Sequence, residues 1–182
     1  MSKKRKFTVK ELAYAGVSLA LAFVLSYIRV FRMPTGGSVT LCSMLFVSLI
    51  GYFFGPVVGL TGAFVYAMLQ FVQGPSFLSP LQFLFDYVLA FTALGLSGFF
   101  HKMKNGLLKG YIVSAFARFI FATMASLFFW SEYLPEGFGT PFIAAVVYNG
   151  SYIGAEALIT CVILLIPPVA KAFAGLKESA IK

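Results

Sequence analysis

Charge is what this sequence has least of. Only 11% of its 182 residues are charged, six of them acidic, and it holds one histidine, one tryptophan and two cysteines. A soluble domain carries roughly 25% charged residues, so this chain cannot cover itself with a solvated surface. Cys42 and Cys161 fall inside apolar runs at depths near opposite leaflets, which argues against a disulfide and against a metal site, and they read as small hydrophobes. His101, in a basic loop, is expected to be a solvated interface residue. The sequence contains no GxxxxGK(S/T) phosphate-binding loop. No internal repeat or low-complexity segment is evident, and no cofactor is implied.

What the chain does have is apolar length. It is 60% hydrophobic with a mean hydropathy of +0.91, and runs over 12–31, 41–54, 56–72, 81–100, 108–130 and 142–169 are separated by turn-forming stretches. A hydrocarbon core of about 30 Å needs roughly 20 apolar residues per helix, so the expectation is an all-α integral membrane protein with six transmembrane helices. Residues 1–182 then form one membrane domain, with a basic N-terminal tail over about 1–10 and a C-terminal tail over 170–182. The first run follows a basic start, as in a signal peptide, but it is long and lacks a clear cleavage pattern, so it reads as a retained helix.

The net charge of +8 does not form a nucleic-acid face. It sits in three clusters between apolar runs: Lys3, Lys4, Arg5, Lys6 and Lys10; Lys102, Lys104 and Lys109; and Lys171, Lys177 and Lys182. Six crossings put all three on one side, so the positive-inside rule predicts both termini in the cytoplasm. The loops around Gly36 and Gly37, Pro75 and Pro80, and Glu132 and Glu136 then face outward. Arg29 and Arg32, near the outer surface, are exceptions. Gly16 and Ala20, with Ser18 and Ala22, make a strip of small residues along the first helix, suited either to packing within the chain or to docking a partner subunit.

Ionisable groups inside a bilayer cost roughly 2.5 to 3.5 kcal/mol each, so each needs a reason. At 1.5 Å rise per residue Asp86 lies about 8 Å and Asn149 about 10 Å inside the outer ends of their helices, while Arg118 and Glu156 lie about 18 and 21 Å deep. The deeper two are expected to form an internal ion pair between the fifth and sixth helices. The shallower two share a level with Tyr87, Trp130, Tyr133, Tyr148 and Tyr152, with Gln82 one turn from Asp86 and Tyr66 in reach. Rings around a carboxylate suit a planar, cationic heterocycle. The alternative, an interfacial aromatic belt, accounts for Trp130 and Tyr133 but not for the aspartate. The sequence Asn149-Gly150-Ser151 matches a glycosylation acceptor but sits too deep to be one.

Three stretches, MPTGGSVTL at 33–41, PLQFLFDYVLAFTALGLSG at 80–98, and the segment from Arg118 through FFWSEYLPEG to YNGSY at Tyr152, resemble the thiamine-specific S subunits of energy-coupling factor transporters. The resemblance runs over nearly the whole chain. It implies a six-helix subunit of a prokaryotic plasma membrane that binds thiamine with high affinity beneath its first outer loop. Such a subunit delivers the vitamin inward with a shared transmembrane coupling subunit and two ATPases. It also implies that Asp86 and Tyr87 engage the aminopyrimidine, that Trp130 stacks on the ligand rings, and that Asn149 belongs to the site, with Gly37 and Ser38 of the first loop beside it. Two positions depart from the family's pattern: Ala122 stands where a histidine is usual and Ala144 where a ligand-contacting tyrosine is usual. Tyr148, Tyr152 or Tyr66 could compensate, or the ligand could be a related compound such as a pyrimidine or thiazole precursor. The rivals are an S subunit for another small ring compound or vitamin, a secondary carrier, a structural membrane protein and an intramembrane enzyme. A carrier would show repeats or broken helices, and an enzyme's catalytic pair is not offered by Asp86 and Glu156, about 13 Å apart in depth.

Overall fold

A computed structural model describes residues 7–33, 36–74, 76–135 and 137–182. Lys3, Lys4, Arg5 and Lys6 of the basic tail, Pro34 and Thr35 of the first loop, Pro75 and Glu136 lie outside the described residues. Helix α1 (Val9–Tyr27) opens on a capping box in which Thr8 Oγ1 accepts from the Glu11 N–H and Glu11 Oε2 accepts from the Thr8 N–H. Both donors would otherwise be orphaned at the helix start.

The first apolar run does not stay helical to Phe31. Arg29–Arg32 (β1) and Ser38–Thr40 (β2) form an antiparallel hairpin instead, in register Arg29 to Thr40 and Arg32 to Ser38. The expectation of an all-helical chain is corrected here: Val30 and Phe31 favour a strand, and the turn at Gly36, whose φ is +120°, brings the second strand back alongside.

Helices α2 (Ser43–Phe54) and α3 (Pro56–Gln73) are divided at Gly55-Pro56. Helix α4 (Pro80–Phe100) is irregular: Leu84–Leu89 forms a π-turn and Ala93–Phe100 tightens to 3₁₀ geometry. That tight end lies against α2, α3 and α5 (Gly106–Phe129). A Cβ placed on Gly95 would come within 2.6 Å of the backbone of Gly59 and of Leu60 Cα. The helices therefore touch main chain to main chain, as small residues permit in lipid.

Helix α6 (Pro141–Leu165) ends before Pro167, and α7 (Pro167–Ile181) follows. The sixth apolar run thus breaks at Ile166 and the supposed tail is a helix. Consecutive prolines cannot donate back into α6, but a proline suits the first turn of the next helix.

Helices α1, α3, α4, α5 and α6 are long and apolar enough to cross a membrane. Helix α2 has 12 residues, and is about 18 Å long at the standard rise. It is sheathed by its neighbours, with Met44, Val47 and Ile50 fully buried. Large apolar side chains such as Val17, Val24, Phe116, Phe128, Leu158 and Val162 point outward, which is the surface lipid requires.

Candidate ligand-binding site

The hairpin, the ends of α1 and α3, the first half of α4, the end of α5 and the start of α6 line a half-open chamber of about 480 Å³. The volume is within the roughly 300–1,000 Å³ of small-molecule sites. Asp86, Tyr87, Trp130, Tyr133, Tyr148, Asn149, Tyr152, Gly37 and Ser38 all line it, so nine residues picked out in the sequence converge on one space.

Asp86 sits in the π-turn of α4. Its Oδ2 accepts from Gln82 Nε2 at 2.6 Å and from the Trp130 indole N–H at 2.7 Å, while Oδ1 has no hydrogen-bond partner among the described residues. Gln82 is fully buried behind the carboxylate and is itself held by the Leu78 N–H. It orients Asp86 and does not line the chamber. One carboxylate oxygen is thereby fixed and the other is uncommitted among the described residues.

The remaining groups divide between walls and roof. Tyr87 donates to the Gly74 carbonyl and accepts from the Ser76 N–H, so it offers its ring, packed near Phe83 and Phe91. Asn149 donates to Ser126 Oγ and to the Ala145 carbonyl and accepts from the Tyr152 hydroxyl. That network holds α6 to α5 and sets the Tyr152 ring. Tyr148 Oη accepts from the Gly37 N–H at 3.2 Å, and a Cβ on Gly37 would meet the Tyr152 ring at 2.6 Å. A side chain at position 37 would have to push the Tyr152 ring aside for the roof to rest on these two tyrosines. Tyr66 does not reach the chamber: it is fully buried, its hydroxyl accepts from Gln70, and its ring lies behind Phe91. Ala122 lines the chamber and Ala144 does not.

The expected ion pair is absent. Glu156 Oε2 accepts from the Thr40 N–H and hydroxyl at 3.0 and 2.6 Å, and Oε1 from the Met44 N–H and Ser43 hydroxyl at 3.2 and 3.3 Å. The carboxylate ties α6 to the hairpin and caps the start of α2, where the helix dipole favours negative charge. Arg118 instead lies over Phe91, its guanidinium carbon 4.4 Å from the ring centroid, and lines the chamber. Shared depth along two helices does not set direction around them. Glu156→Gln is therefore expected to lower the apparent melting temperature of purified protein by several degrees, losing about 2 kcal/mol of charge-assisted bonding. Arg118→Gln should shift it by less than a third as much; equal losses would restore the ion pair.

Sequence reading missed Arg29, Gln70, Gln73, Thr40, Ser43, Phe91 and Ser126, all on the chamber wall. Gln70 and Gln73, three apart in an apolar helix, were the detectable signal. Arg29, an exception to the charge rule, also lines it.

A chamber with a half-free carboxylate, set among helices long and apolar enough to cross a membrane, is the architecture of a multi-pass membrane protein with a central cavity. Comparison with known proteins gives its family: a model of the thiamine transporter protein family (Thia_YuaJ) matches residues 12–174, and the chain belongs to that family. It is similar to the thiamine transporter ThiT of Bacillus subtilis (strain 168), with 31% identity over 148 residues, 73% of this chain and 75% of the relative. ThiT of Lacticaseibacillus paracasei is 30% identical over 116 residues, 57% of this chain and 58% of that one. A solved structure of ThiT from Listeria monocytogenes shares the fold, with a TM-score of 0.70 and 23% identity, covering 90% of this chain and 96% of that one.

Proposed function

We propose that this chain is the thiamine-binding S subunit of an energy-coupling factor importer in a prokaryotic plasma membrane. It captures thiamine with high affinity from the outer side and delivers it inward with a shared transmembrane coupling subunit and two ATPase subunits. The observation that carries the reading is the uncommitted Oδ1 of Asp86 beside aromatic walls. A carboxylate acceptor suits the aminopyrimidine donor, and ring faces suit the cationic thiazolium. Family membership supports the same ligand. A second reading, a pyrimidine or thiazole precursor, draws on Ala122, which adds room to the chamber wall.

The proposal includes six passages with both termini cytoplasmic. The short α2, surrounded by other helices, would complete the sixth together with the hairpin above it, and Lys10, Lys102, Lys104, Lys109, Lys171, Lys177 and Lys182 would then share the cytoplasmic side. Docking of the coupling subunit would use the outer face of α1. Gly16 and Ala20 are exposed there while Ser18 and Ala22 are buried against the bundle.

The test has two readouts. Thiamine should quench Trp130, the chain's single tryptophan, saturably in purified protein, with its isolated pyrimidine and thiazole halves binding at least tenfold more weakly. Gly16→Leu should leave that titration unchanged yet abolish thiamine uptake in cells supplying the partner subunits. Tighter binding of either half would favour the precursor reading, and normal uptake by the variant would remove docking through α1.

A further inference from the structure

A second cavity, of about 530 Å³, lies at the end of the bundle away from the chamber, where α1 starts, α2 ends and α7 crosses; Phe53, Phe54 and Ile181 supply its apolar surface, and Glu11, His101, Lys102 and Lys177 its polar groups. The Lys177 ammonium donates to the His101 carbonyl and lies 4.1 Å from the centroid of the Tyr52 ring. Both neighbours are neutral. Burial pulls the Lys177 pKa below the usual lysine value, as expected for an ammonium lacking a countercharge. Lys102 is exposed and has no acidic partner among the described residues. Glu11, the cavity's one carboxylate, accepts from Thr8 within its own helix cap. Among the described residues, two lysines therefore face one engaged acid.

We propose that this cavity holds the phosphate headgroup of an anionic phospholipid, with the lipid's chains lying along the apolar side. A basic rim on an apolar floor at the ends of lipid-facing helices is the chemistry of an amphiphilic anion, whereas a soluble anion would gain nothing from Phe54 and Ile181. Val9 and Leu12, in the first turn of α1 with Glu11, are exposed apolar side chains. The bound headgroup would hold α7 to the start of α1 and the end of α2. This inference does not depend on the chamber's ligand.

The experiment measures the melting temperature of the full chain in nanodiscs of dioleoylphosphatidylglycerol and of dioleoylphosphatidylcholine, with native mass spectrometry counting retained lipid. The anionic lipid should raise the melting temperature by about 5 °C and one lipid should remain bound. Lys102→Gln should at least halve that rise, and Lys102→Gln with Lys177→Gln should abolish it. Each variant is compared with itself in the two lipids, so a lower absolute stability of the Lys177 variant does not confuse the result. Equal melting in both lipids, or an undiminished rise in the double variant, overturns the proposal. So does a rise reproduced by inorganic phosphate in detergent, which would make the site one for free anions, or one that appears only with the coupling subunit present, which would make it a protein interface. Thiamine quenching of Trp130, read in parallel, separates this result from the fate of the chamber.

Discussion

Asp86→Asn is expected to weaken thiamine binding by about 10- to 150-fold, the 1.5–3 kcal/mol of a hydrogen bond to a charged group, while the protein still folds. The geometry explains both halves of that expectation. An asparagine oxygen can take the place of Oδ2 and accept from Gln82 and Trp130 as the aspartate does, so the local structure is kept. The group left facing the chamber is then an amide NH2, a donor where the ligand's amino group needs an acceptor. A cation in the chamber also loses its countercharge. Trp130 reports the change directly, since its indole N–H is bonded to the altered side chain. Unaltered affinity in the variant would mean that the ligand binds elsewhere, and the reading of the chamber would fall with it.

Gly95→Leu is expected to prevent folding to a monodisperse protein, at a cost above about 3 kcal/mol. The added Cβ would meet backbone atoms of Gly59 and Leu60 at 2.6 Å, and a main chain cannot turn aside as a side-chain tip can. Helix α4 would have to leave α3, and its contacts with α2 and α5 would go too. Gly154→Leu is the control, because nothing lies within 4 Å of a Cβ there. Size-exclusion profiles and melting curves in detergent should separate the two variants clearly. Similar profiles would show that the backbone contact between α3 and α4 can relax.

The depth arithmetic recovered the chamber because a bilayer penalises buried polar groups one by one, so Asp86 and Asn149 stood out against an apolar background. Trp130 and the tyrosines followed by level. What that arithmetic could not supply was direction around each helix axis, which is why Arg118 and Glu156 were paired although one faces Phe91 and the other the start of α2. Short apolar segments were the other weakness. Val30 and Phe31 prolong the first apolar run on hydropathy, and only the pairing of Arg29–Arg32 with Ser38–Thr40 makes that stretch a strand. The break at Pro167 was legible as chemistry, yet hydropathy continues through Val169 and masked the start of α7. Gln82 and Tyr66, expected to line the site, lie behind its wall instead, a distinction set by packing that one sequence does not encode in its pattern.

The π-turn at Leu84–Leu89 has a consequence beyond the site it contains. Such a turn amounts to one residue more than an α-helix would use, and each residue advances a helix by about 100°. Without the surplus residue, every position beyond it would swing to another compass bearing, and Gly95 would no longer meet Gly59. The turn that presents the carboxylate and the seam that closes the bundle are therefore a single geometric decision, and a residue lost from the one would realign the other.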